Sequence, residues 1–135
     1  EAMKHSLEAV DVIWKTVNVI YNQINGGIYK LTRPVDSKLE DIVVNALPIN
    51  SENIQRCIVN VNCYVPDMLV NIKGKSILMA NTARLKELAT AVMDILEDKA
   101  DMGYYFHLQN QHILKADEDQ HYVNLRIEVV FTNEI

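Results

Sequence analysis

Apolar residues at Met3, Leu7, Val10, Trp14, Val17, Tyr21 and Ile24 recur at alternating spacings of four and three, which puts them on one stripe of a helix. Ile13 and Ile20 widen that stripe, as expected of a helix facing a core rather than a coiled-coil seam. Asn25-Gly26-Gly27 stops the pattern. A left-handed C-cap at Gly26 or Gly27 is predicted there, because a residue without a side chain adopts that conformation at no steric cost. Past the glycines the pattern becomes extended. "IYKL" is a short strand candidate and "DIVVNAL" a second strand, while "RPVDSKLE" between them is a loop, since Pro34 lacks a donor and biases Arg33 away from helix.

Pro48, Asn50, Ser51 and Asn53 in "PINSENI" then break the chain ahead of a long strand, "IQRCIVNVNCYV". Cys57, Val59, Val61 and Cys63 alternate with Ile58, Asn60, Asn62 and Tyr64, which predicts one buried and one mixed face of a half-exposed antiparallel sheet. "PDMLVNIKGKSILMAN" predicts a hairpin or arm turning near Gly74. A second helix, capped by Asn81 or Thr82, carries Leu85, Leu88, Ala89, Val92 and Leu96 on its apolar stripe and ends near Lys99. "MGYYFHLQ" and "QHILKA" are extended segments and "DEDQ" a turn. "HYVNLRIEVVFTN" is a last long strand, with His121, Val123, Leu125, Ile127, Val129 and Phe131 on one face, opposite Tyr122, Asn124, Arg126 and Glu128. Strands outnumber crossover helices in this order. The expected fold is α+β, a mainly antiparallel sheet with two helices packed on one face, as a single domain over residues 1–135.

At 135 residues such a domain removes about two-thirds of its unfolded surface from water, and 49% hydrophobic with 23% charged residues is an ordinary globular balance. The net charge of −5, without a basic cluster, argues against specific nucleic-acid binding. The absence of an apolar run of about 18 residues or a signal-peptide pattern argues against a membrane partner, although a chain beginning at Glu1 leaves a removed leader open. Cys57 and Cys63 share a strand face about 20 Å apart, too far for a disulfide, and fit a core role in a reducing compartment.

No catalytic, metal or cofactor site is expected. Gly26-Gly27 follows a helix and precedes a strand, the reverse of a phosphate-binding loop. His107 and His112 stand five apart, whereas metal pairs stand three or four apart on a helix and two on a strand. Asp117, Glu118 and Asp119 are adjacent in a turn and point in different directions. His5 lies on the exposed side of the first helix, His121 borders the sheet, and Trp14 anchors the core. What stands out instead is apolar surface in the arm, at Met68, Leu69, Val70, Ile72, Ile77, Leu78 and Met79, which is either core or interface. Tyr29 and Arg33 beside it complete the candidate contacts.

A first helix ending in "NGGIY", the Arg33-Pro34 loop, "DIVVNAL", "CIVNVNCYV", "LKELATAVMDIL" and the closing "HYVNLRIEVVF" together resemble the tail-completion, or tail-terminator, family of phage and prophage head-to-tail modules. The resemblance covers most of the chain; the arm is longer and more apolar than the loop the family pattern has there. It implies a non-enzymatic structural subunit that assembles into a ring, commonly a hexamer, capping the tail tube. Its partners would be other copies of itself, tail-tube proteins and head-connector proteins, and its place the cytoplasm of a bacterial host during assembly and then the virion neck. An acidic subunit suits a ring through which DNA must pass without sticking. The resemblance also gives the segment after Gly27 a place at the sheet margin, where ring subunits meet. Two alternatives stand beside it: a small-molecule-binding or regulatory α+β domain dimerising through its sheet, and a hydrolase or nuclease using Asp117, Asp119 and His121.

Overall fold

The computed structural model describes residues 6–47, 55–97, 100–101, 103–116 and 119–132. Helix α1 (Ser6–Val17) runs into a 3-10 turn (Asn18–Gln23) and short strand β1 (Ile28–Lys30). Strands β2 (Asp41–Ala46) and β3 (Gln55–Pro66) follow, then a hairpin of β4 (Met68–Ile72) and β5 (Lys75–Met79), and helix α2 (Thr82–Glu97). Strand β6 (Ala100–Asp101), long β7 (Tyr104–Ala116) and β8 (Gln120–Phe131) complete the order. One sheet runs β1-β2-β3-β8-β7-β6, antiparallel except where β1 pairs with β2. Both helices pack on it, so the fold is the expected α+β. "MGYYFHLQ" and "QHILKA" belong to the single strand β7, interrupted only by a bulge between Leu108 and Asn110.

The core lies between the helices and the alternating positions Cys57, Val59, Val61, Cys63 and Val65 of β3, with Val123, Leu125, Ile127, Val129 and Phe131 of β8. All five stripe residues of α2 are buried, and Asn81 Oδ1 accepts the Arg84 N–H, making Asn81 the cap. The first stripe is only partly as the spacing predicts. Ala9, Val10, Ile13, Val17, Ile20 and Ile24 are buried, whereas Leu7 and Tyr21 are 52% and 64% exposed. The chain tightens after Val17 to about three residues per turn, so Ile20 follows Val17 over the core and Tyr21 rotates outward. Met3, Lys99, Asp117, Glu118 and the "PINSENI" break lie outside the described residues.

Both thiols are free and buried. Burial raises Cys57 and pushes Cys63 from an ordinary 9.0 up to about 12. Native protein at pH 8 is therefore expected to resist iodoacetamide at both thiols until denaturant is added, as mass spectrometry would show. The Cys63 contribution to stability is present below about pH 9 and lost as pH rises toward 12, because the unfolded thiol gives up its proton first. A denaturation midpoint that failed to fall between pH 8 and pH 11 would contradict this.

Among the described residues the opposite sheet face carries no helix, and its centre is an asparagine ladder. Asn60 Nδ2 donates to Asn45 Oδ1 (3.1 Å), and Asn124 Nδ2 donates to both Asn60 Oδ1 (3.2 Å) and Asn62 Oδ1 (2.7 Å). Beside it the Tyr64 and Tyr122 rings stack at 4.8 Å. This mutual pairing lets Asn124 sit buried in a face that the alternation marks only as mixed.

Candidate functional site

The β4–β5 hairpin is the arm that the sequence predicts. Lys73 and Gly74 both have positive φ (51° and 82°), as a two-residue hairpin turn requires, and the Gly74 N–H is held by Asn71 Oδ1. Pairing of Met68 with Met79, Val70 with Ile77 and Ile72 with Lys75 puts five large apolar side chains on one face. Leu69 and Leu78 lie on the other, with Asn71 and Ser76 nearer the tip. Except for half-buried Val70, these apolar residues are 41% to 67% exposed. Among the described residues neither strand has more than marginal contact with another element, so the arm projects from the body. A two-stranded hairpin apolar on both faces is at best marginal alone in water.

Its root is fixed. Pro66 pairs with Gln120 at the end of the β3–β8 ladder, the Asp67 N–H donates to Asp119 O (2.8 Å), and His121 Nδ1 lies 2.7 Å from the buried Asp67 carboxylate. His121 thus ties down the arm, and among the described residues no three His, Cys, Asp or Glu gather as metal ligands would.

Arg33, named above as a candidate contact, is held mostly by the chain itself. Its guanidinium is largely buried: Nε donates to Asp41 Oδ2 (2.9 Å), Nη1 to Gln120 Oε1 (3.0 Å) and Nη2 to the Ser37 and Leu39 carbonyls, while the plane lies 4.1 Å over the Tyr64 ring. Asp41, fully buried, also accepts from Ser37 Oγ (2.5 Å) and the Gly27 N–H (3.0 Å). The neighbouring Glu40 receives Arg84 of α2 through both carboxylate oxygens, at 2.8 and 2.9 Å. Glu40 thereby pins the loop to α2, while Arg33 and the Ser37 carbonyl, through Gln120, pin it to β8. An open groove between loop and sheet is lined by Arg33, Lys38, Tyr64, Lys115 and Tyr122.

The same network explains the paired glycines, and it replaces the predicted C-cap. Neither Gly26 nor Gly27 has positive φ; the turn leaves through extended Ile24 (φ −124°, ψ 156°). A Cβ on Gly26 would overlap Asp41 Oδ1 and the Glu40 carbonyl oxygen, and one on Gly27 would lie 2.6 Å from the Tyr29 ring. Close approach to the Glu40 backbone, not handedness, requires glycine at position 26, whereas at position 27 only the outer end of the Tyr29 ring would have to move. Gly26→Ala is expected to cost about 1–3 kcal/mol in chemical denaturation, as overpacking a well-packed site does. A cost near zero would mean that the loop yields freely.

Tyr29 lies half-buried in β1, at the sheet margin as expected. That margin is occupied by the chain itself. Gly27 O accepts from Ile42 N and Leu31 N donates to Val44 O, so Ile28 and Lys30 turn their peptide groups outward. There Trp14 Nε1 donates to Ile28 O (2.8 Å), Thr32 N donates to Lys30 O (2.9 Å), and Lys30 is paired with Asp11. At the opposite margin, β6 pairs only with Tyr104 and Tyr105, and among the described residues no strand pairs with the outer edge of β7 from Phe106 to Ala116. Leu108, Ile113 and Leu114 are exposed on β7, and a groove of about 390 Å³ runs between it and α2, lined by Leu85, Ala89, Met93, Ile113 and Val123. No sequence motif assigns a function to this edge. The signal was present in "QHILKA", whose apolar residues have no strand beyond them to cover them.

No protein-family model and no curated protein matches the chain.

Proposed function

We propose that this protein is a phage or prophage tail terminator, a non-enzymatic subunit that assembles into a ring capping the tail tube and docks on tail-tube and head-connector proteins. The observation that carries the self-assembly in this reading is the arm: a root-anchored, two-faced apolar hairpin, which a single subunit leaves uncovered, at a place where the family pattern has a shorter loop. The resemblance in element order, from the first helix through the Arg33-Pro34 loop to the closing strand, supplies the biological setting. Among the described residues no helix is long and apolar enough to cross a membrane.

Light scattering across a concentration series, followed by negative-stain imaging, tests the proposal. Rings of about six subunit masses are expected, since closed rings form when a heterologous contact repeats. A concentration-independent dimer would favour the second reading, a small-molecule-binding or regulatory domain, which draws on the groove lined by Arg33, Lys115 and the stacked tyrosines.

A further inference from the structure

The geometry points to the seat of the arm: the α2–β7 side of a second copy, where one arm strand pairs with the free edge of β7 and the apolar arm face closes over the groove. This rests on the self-assembly proposed above and specifies its contact.

Three observations converge on a second copy as the occupant. The first is the contrast between the sheet margins. Trp14 and Thr32 use the outward carbonyls of β1, whereas among the described residues no strand pairs with the outer edge of β7 from Phe106 onward, and an open edge of that length is a template for another strand. The bulge near Gln109 divides that edge, and the stretch from Asn110 to Ala116 spans about 23 Å, enough for a five-residue arm strand of about 17 Å.

The second observation is apolar fit. A strand added outside β7 would carry the Met68, Val70, Ile72, Ile77 and Met79 face over Ile113 and Met93, where the subunit alone leaves a groove. Leu69 and Leu78 would then lie beside Leu114 on the other side of the sheet, so the larger apolar arm face is the one that the groove covers. Third, the charges are complementary. Residues 68–79 contain Lys73 and Lys75 and no acid, a charge of +2, so with a total of −5 the remainder carries −7 (11 basic against 18 acidic residues). The cationic arm is repelled by another arm and drawn to the acidic body as a whole; at the seat itself the charged side chains, Lys86 and Lys115, are basic, so the attraction acts at long range and the contact rests on the apolar fit and the free edge.

Cysteine cross-linking reads this contact directly, because the native thiols Cys57 and Cys63 are buried and introduced ones stand apart from them. Ile77→Cys and Ile113→Cys replace residues 43% and 54% exposed, which the fold tolerates. Each variant alone and an equimolar mixture would be oxidised gently, with oligomer size measured in parallel. The expected result is a disulfide-linked pair in the mixture, mapped by mass spectrometry to positions 77 and 113, and none in either variant alone. Linked pairs within rings support both the seat and the ring. Linked pairs within a closed dimer support the seat and overturn the ring. Assembly without the 77–113 link, or with a 77–77 link from Ile77→Cys alone, overturns the seat and leaves the ring standing. A monomer without links at every concentration overturns both.

Discussion

Asp41→Ala is expected to lower the unfolding free energy by about 3–5 kcal/mol, the usual cost of removing one partner from a buried ion pair. The carboxylate is fully buried and accepts from Arg33, Ser37 and Gly27, so its loss leaves a largely buried guanidinium without its counter-charge and a loop without its anchor. The partners make the effect separable. If the pair acts as a unit, Arg33→Ala in the Asp41→Ala background costs much less than it does alone, and a double-mutant cycle by urea denaturation measures the difference. A loss under about 1 kcal/mol for Asp41→Ala would put the pair with solvated surface ion pairs and remove the basis for the anchored loop.

The second large effect is expected in assembly and not in stability. Ile77→Asp changes a half-exposed residue in the monomer, where such substitutions stay within about 0.5 kcal/mol. In the assembly proposed above the same position would meet apolar surface, where an uncompensated buried carboxylate costs about 3–5 kcal/mol. That corresponds to a loss of association of about a hundredfold or more, since each 1.4 kcal/mol is tenfold. Sedimentation at matched concentrations, with thermal unfolding as the control, should show monomers of unchanged stability. Wild-type-like oligomers from Ile77→Asp would take the arm out of the interface altogether.

What could be read from the chain follows from which interactions are periodic. The α2 stripe from Leu85 to Leu96, the alternation of Cys57 to Cys63 and the hairpin turn at Lys73-Gly74 are local patterns whose period reports a face or a turn. The first helix was harder. Its stripe continues through Tyr21 in helical spacing, but the coil tightens after Val17, and a sequence of apolar residues does not announce a change from 3.6 to 3 residues per turn. Gly26-Gly27 is an instructive miss: a glycine pair after a helix satisfies the rule for a cap, and the true reason lies in Asp41, fourteen residues beyond Gly27.

The sequence by itself determined the α+β class, the buried faces of the long strands and α2, and the presence of an apolar arm, because each depends on side chains repeating with the period of their own backbone. Only the tertiary structure decided that Arg33 is committed to Asp41 and Gln120. It likewise decided that β1 closes its edge with Trp14 while β7 leaves its own open. Those outcomes depend on which distant groups meet, Arg33 with Gln120 across 87 positions being the extreme case, and the energy of such a meeting leaves no periodic trace along the chain.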